Sequence, residues 1–227
     1  MIILIQYNDF NKGKFSLGGV GLVMKSNVIF AVGAHPDDIE LGCGGTLYKV
    51  SEKETKVVAV FLTKGEKSGD AEVRTKESIK ALRILGVNEV HFGHFPDTEL
   101  PNSHEAIDFL EQFCLKNNPD MVLTHTVNDT HQDHRQVGWL SISAFRNVPK
   151  ILAYETPAVR PATYAPTYFV DISCCVEKKW EALQCHVSQK AKRYLAYESM
   201  INLASFRGSQ VGVRVAEAFE VVKYLEK

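Results

Sequence analysis

Two short stretches carry most of the residues able to do chemistry. The first is Ala34-His35-Pro36-Asp37-Asp38-Ile39-Glu40-Leu41-Gly42, and the second is Thr130-His131-Gln132-Asp133-His134-Arg135. A His and an Asp three residues apart, His35 and Asp38, can converge on one metal ion, and His134 can supply a third donor from a distance. Two imidazoles and one carboxylate leave Zn²⁺ an open position for water, which makes a site catalytic rather than structural. Such an ion lowers the pKa of its water to about 7 and polarises a carbonyl. Asp37, next to a ligand but free to point elsewhere, can take the water's proton. His131 can support an oxyanion or protonate a leaving group, with Asp133 fixing its ring. Each motif has a plainer explanation: an Asp pair at a strand-to-helix turn often only caps the helix, and one HxxH is a weak metal signal. Two acid- and His-rich clusters, each just beyond a strand end, favour the metal.

The elements around these motifs are short apolar runs alternating with helical patterns. Strands are expected at 28–34, 56–63, 89–92, 120–125, 150–155 and 168–172. Helices are expected from near Leu41, over about 72–85 with Gly86 as its C-cap, over 104–116, and as one long helix over about 174–197. A final apolar stretch ends at Leu225. Strands separated by helices imply parallel βαβ units, whose ligands gather beyond the strand C-termini, where both motifs lie. The expected fold is α/β: a Rossmann-like, mostly parallel sheet flanked by helices, as a single domain. Pro157, Pro161 and Pro166 punctuate a surface loop expected to form part of the site's rim.

The 227 residues suit one large domain, or one domain and a small appendage, at roughly 150 residues each. With 45% apolar and 23% charged residues the chain is ordinary globular protein, not a disordered one. A net charge of −1 removes the electrostatic reason to expect nucleic acid or anionic lipid as a partner. No stretch approaches the ~20 apolar residues of a membrane span, and the apolar start, Met1 to Ile5, lacks a signal peptide's basic flank and length. The five cysteines are odd in number and form no CxxC, which points to reduced thiols and a cytoplasmic protein.

The motifs resemble the PIG-L/LmbE-type N-acetylglucosaminyl deacetylases, a zinc hydrolase family that includes bacillithiol- and mycothiol-pathway enzymes. Ala34-His35-Pro36-Asp37-Asp38, with Glu40 and Gly42-Cys43-Gly44-Gly45 behind it, is similar to the family's first signature. His131-Gln132-Asp133-His134 is similar to its second, with Gln where other members have Pro. Further similarity lies in Thr63 to Glu66, Glu72 to Arg74, Pro96-Asp97, Phe169 to Ser173 and Ala216 to Phe219, so that it runs from about Met24 to the C-terminus. The resemblance implies His35, Asp38 and His134 as zinc ligands and Asp37 as general base. It implies His131 as support for the tetrahedral intermediate and leaving amine, with Asp133 as its orienting partner. Arg74 resembles an arginine that grips the sugar hydroxyls or a neighbouring group; otherwise it is an exposed charge in a helix's first turn, where the dipole disfavours a cation. Residues 24–227 then form one deacetylase domain and residues 1–23 an extension, or an upstream start.

The remaining candidates are weaker. Gly42 to Gly45 lacks GxGxxG spacing and is better explained by close helix–sheet packing than by a dinucleotide. His91, His94, His104 and His186 have no partner spacing; His125 can stand behind the second motif, and Asp97 can bond a motif histidine or cap a turn. Trp180 and Cys43 fit the core. The expected activity is zinc-dependent removal of acetyl from an N-acetylglucosaminyl conjugate, a small amino-sugar substrate. Fe²⁺ suits the same donor set, and a homo-oligomer is compatible with the family. Two alternatives stay open: the same site acting on another amide, such as an antibiotic or lipid-linked sugar, or a non-catalytic sugar- or nucleotide-binding module.

Overall fold

A computed structural model describes residues 27–53, 55–157 and 163–226. Residues 1–23 and Pro161 lie outside the described residues. In chain order the elements are β1 (Val28–Gly33), α1 (Asp38–Ser51), β2 (Lys56–Phe61), α2 (Ala71–Ile84), β3 (Glu89–Phe92), α3 (His104–Asn117) and β4 (Met121–His125). They continue as α4 (Gln132–Ala144), β5 (Lys150–Tyr154), β6 (Tyr168–Asp171), α5 (Val176–Leu183), α6 (Tyr197–Val211) and β7 (Ala216–Tyr224). The sheet has seven strands in the order β3-β2-β1-β4-β5-β7-β6. The first five are parallel, and β7 runs antiparallel to both its neighbours.

Alternate strand residues feed two cores, because side chains of a strand point to opposite faces. Ile29, Ala31, Val57, Ala59 and Leu123 face the layer formed by α1, α2, α5 and α6. Phe30, Val32, Val58, Val60 and Val122 face α3 and α4. Strands buried on both faces must be apolar throughout, which explains the continuous runs that replace alternation. Helix starts follow local chemistry: Asp70 accepts from the Val73 N–H at 2.9 Å to cap α2, and Ser103 caps α3 through the Ala106 N–H at 3.3 Å. Gly86, with φ 78°, ends α2 as expected.

The chain winds from β1 outward to β3, then crosses back to β4 on the other side of β1. The crevice between β1 and β4 is therefore the topological switch point, where open α/β sheets bind ligands. Both sequence motifs border it. Two expectations are corrected. The first helix begins at Asp38 rather than near Leu41. The expected helix over 174–197 is instead α5, two 3₁₀ turns at 187–189 and 193–195, and the start of α6. The chain leaves the helix because buried His186 turns inward to Glu40 (3.0 Å), while Ser188 and Gln189 bond Glu77 and the Ser68 carbonyl.

Candidate active site

β1 ends at Gly33, and the next turn sets His35, Asp37 and Asp38 at the crevice floor. Asp37 sits at φ 123°, an unusual angle for a non-glycine residue that Asp and Asn tolerate best. The carboxylate of Asp38 folds back on the turn. Its Oδ2 accepts from the N–H groups of Ala34 (3.1 Å) and His35 (2.7 Å) and lies 3.1 Å from His125 Nε2. Its Oδ1 lies 3.2 Å from His134 Nε2.

The imidazoles are oriented by carboxylates behind them. His134 Nδ1 is 2.9 Å from Asp129 Oδ2, which leaves Nε2 for the crevice. His35 Nε2 is 3.0 Å from Asp97 Oδ1 and 3.1 Å from Asp133 Oδ2, and its Nδ1 is 3.3 Å from Asp38 Oδ2. Asp38 thus stands between the two rings, with Oδ2 toward His35 Nδ1 and Oδ1 toward His134 Nε2. Metal-binding histidines characteristically have such carboxylates on the opposite ring nitrogen, fixing tautomer and orientation. Among the described residues, three overlapping groups can hold a metal ion: His35 with His131 and His134, Asp38 with His125 and His134, and His35 with Asp97 and Asp133.

The electrostatics are those of buried acids and bases packed together. Burial opposes ionisation of Asp38, but the charges of His134 and His125 outweigh it and hold the carboxyl well below its usual range. Burial likewise opposes charge on His134, yet Asp38 and Asp129 raise it to about 9. Asp37 is pushed up to about 6, by burial first and then by the adjacent Asp38 charge. His125 stacks on His134, with ring centroids 4.0 Å apart; burial and the His134 charge depress it to about 4. His131 is lowered by burial and by the neighbouring His134 and His35 charges.

A cavity of about 270 Å³ is lined by His35, Asp37, Asp38, Arg74, His131 and His134, and also by Pro157, Lys192 and Tyr194. All seven sequence candidates except Asp133 therefore border one cavity. Arg74 is not an exposed charge: it is 2% exposed and ties the two loops together, donating from Nη1 to the Gly65 carbonyl (2.6 Å) and from Nη2 to that of Pro36 (2.8 Å). Its Nη2 also lies 3.4 Å from Asp37 Oδ2, which accepts from the Tyr194 hydroxyl at 3.2 Å.

The expected Asp133–His131 arrangement differs in its atoms. The Asp133 carboxylate accepts from Thr98 N–H (2.7 Å) and Leu100 N–H (3.4 Å) besides facing His35, so it does not orient His131. Its backbone N–H instead donates to His131 Nδ1 at 3.2 Å. With Nδ1 accepting, the proton of neutral His131 belongs on Nε2.

Asp129 and Tyr194 were missed in the sequence. Asp129, five residues before His134, is readable only once the helix start brings it behind that ring. Tyr194 lies in a region expected to be helical, and no spacing ties it to Asp37. Of the weaker candidates, Asp97 and His125 stand behind motif residues. His91 sits beside Glu89 (3.1 Å), His186 is buried on Glu40, and His94 and His104 are exposed. Cys43 is buried, and Trp180 packs against the core edge-on to Tyr197. No helix of the described residues is long and apolar enough to cross a membrane.

Fold and site define an α/β protein with an acid- and imidazole-walled cavity at the switch point of its sheet. The profile of the PIG-L family, GlcNAc-PI de-N-acetylase, matches residues 30–145, and the chain belongs to that family of enzymes. Diacetylchitobiose deacetylase of Thermococcus kodakarensis is 31% identical over 220 residues, 86% of this chain and 82% of its own length. The solved structure of N,N'-diacetylchitobiose deacetylase from Pyrococcus horikoshii is similar with a TM-score of 0.78 and 28% identity, over 87% of this chain and 84% of that one. GalB, the 4-carboxy-2-hydroxymuconate hydratase of Pseudomonas putida KT2440, shares the fold with a TM-score of 0.79 at 22% identity, over 88% of this chain and 98% of its own. One fold thus carries different chemistries, and the reaction must be argued from the residues.

Proposed function

We propose that the protein is a zinc-dependent hydrolase that removes the acetyl group from an N-acetylglucosaminyl conjugate. The observation that carries this is the Asp38 carboxylate set between two imidazoles, Oδ2 3.3 Å from His35 Nδ1 and Oδ1 3.2 Å from His134 Nε2, with Asp97 and Asp133 behind His35 and Asp129 behind His134. This donor set fits Zn²⁺, and also Fe²⁺, with positions left open. A divalent cation held there acidifies water and polarises the amide carbonyl.

Asp37 acts as the base. It is buried beside the proposed ligands and takes the proton as water attacks the acetamide carbon. The Nε2–H of His131 donates to the oxyanion that forms, a role that suits a neutral ring with its proton fixed by the Asp133 N–H. The proton held by Asp37 then passes to the departing amine, and the C–N bond breaks to give acetate and a free amino sugar. The Asp133 carboxylate holds His35, Asp129 holds His134, and Arg74 steadies Asp37 from a wall that the sugar is proposed to contact. The cavity volume suits one sugar ring, with any aglycone toward Pro157 and Lys192. Family membership and the deacetylase names of the relatives support the same activity. The five free cysteines support a cytoplasmic setting.

Purified protein incubated with N-acetylglucosamine, diacetylchitobiose and acidic N-acetylglucosaminyl conjugates is expected to release acetate and primary amine in equal amounts. Elemental analysis should find about one zinc or iron per chain. Binding of these sugars with neither acetate release nor metal would favour a non-catalytic module.

A further inference from the structure

The helix that carries Asp38 is not continuous. α1 breaks at Cys43, whose φ of −141° and ψ of 16° are not helical. In an unbroken helix the Gly45 N–H would donate to the Leu41 carbonyl four residues back. Here Gly45 N–H (2.9 Å) and Thr46 N–H (2.7 Å) donate to the two carboxylate oxygens of Glu217. The Leu41 carbonyl accepts instead from Lys179 Nζ at 2.7 Å, and Lys179 Nζ is 2.6 Å from Glu217 Oε1. The donors of two rungs, Gly45 to Leu41 and Thr46 to Gly42, thus turn to Glu217, and the first rung is closed again through the ion pair. The signs match the two half-helices, with a carboxylate at the N-terminus of the second and an ammonium at the C-terminus of the first.

The break has a steric reason and a consequence. A Cβ on Gly42 would lie 2.1 Å from the Tyr154 ring, and one on Gly45 would lie 2.8 Å from Ile172, so the helix passes close against its neighbours on both sides of the break. The short first segment, Asp38 to Gly42, is thereby set off from the rest of α1. That segment bears Asp38 and directly follows Asp37. Both members of the pair are 4% exposed, and they come from α5 and β7, beyond the matched residues 30–145. The pair bonds three backbone groups at the break, so it ties the geometry of this turn to α5 and β7.

We propose that Lys179 and Glu217 are positioning residues for the reaction: by standing in for the broken rung they set the pose of the Asp37–Leu41 turn, and hence of the base and the carboxylate ligand. This rests on the site assignment above. The test compares wild type with Lys179→Met/Glu217→Gln and with Glu217→Gln alone. The single variant keeps the side-chain shape and one acceptor. For each folded protein, Tm without metal, zinc retention against a chelator, kcat and KM are measured. The double variant should lose several degrees of Tm, because the Leu41 carbonyl is left without its donor and an amide can accept from only one of the two N–H groups. Both variants should lose zinc at about tenfold lower chelator, with kcat down about tenfold or more and KM within about twofold. A role confined to stability would move Tm alone. Wild-type zinc retention and kcat in either folded variant would overturn the proposal. Zinc retention needs no substrate, so a wild type that retained zinc but released no acetate from any conjugate would sink the deacetylase assignment and leave this test standing.

Discussion

Replacing Asp37 with Asn should make the protein more stable and nearly inactive. The carboxyl is 2% exposed, and burial with the neighbouring Asp38 charge pushes it up to about 6 from an ordinary 3.8. Two units at 1.36 kcal/mol each put the cost of keeping it ionised in the fold at roughly 3 kcal/mol. Asn has the same shape, tolerates the φ of 123° and can keep the Tyr194 contact, so little else changes. For a carboxyl whose folded-state value is raised, the cost is absent below 3.8, grows as pH rises toward about 6 and is complete above it. Urea unfolding of metal-free protein should therefore give the variant an advantage of roughly 3 kcal/mol at pH 7.5 that nearly vanishes at pH 4. Turnover should fall about 10²- to 10⁴-fold, the usual worth of a general base. An Asn variant that is no more stable than wild type at pH 7.5, that gains equally at both pH values, or that keeps near-normal turnover would refute the account of Asp37.

Other substitutions probe the groups around it. Asp129→Ala removes the acceptor 2.9 Å from His134 Nδ1 and should weaken zinc affinity about 10- to 100-fold, read by chelator competition. His131→Ala should lower kcat about 10²- to 10³-fold with little change in KM, as expected for a donor that acts on the oxyanion; an equal rise in KM would argue for ground-state binding instead. Gly42→Ala places a methyl 2.1 Å from the ring of Tyr154, whose hydroxyl is fixed to the Val32 carbonyl at 2.8 Å. A loss of at least about 1–3 kcal/mol in urea unfolding is expected.

Much of the candidate site was legible because its residues lie close together in the chain at the ends of strands. Apolar runs revealed β1 and β4, and a parallel sheet puts ligands beyond their C-termini, so His35, Asp38, His131 and His134 could be read together. The supporting partners were harder to read because they come from distant segments. Asp97 was a candidate partner of a motif histidine, but Lys179 and Glu217 meet the first motif only through the sheet order and the packing of α5 on α1, which spacing does not encode. Arg74 could be read as an arginine that grips the sugar or as an exposed helix charge, and spacing did not show where its guanidinium would be held. Its burial depends on the two loop carbonyls, of Gly65 and Pro36, that receive it. The break in α1 was half visible in Gly42 to Gly45, which suggested close packing but not a lost rung. The stretch from α5 to α6 misled for a related reason: its residues favour helix, but His186, Ser188 and Gln189 find tertiary partners that a continuous helix would deny them.

The most direct test of metal-dependent deacetylation is a zinc titration of chelator-stripped protein with acetate release as the readout. The account predicts almost no acetate from an N-acetylglucosaminyl substrate without metal, and a rate that climbs and saturates near about one zinc per chain. Acetate release at the full rate from stripped protein, or none at any zinc level from any such conjugate, would contradict it.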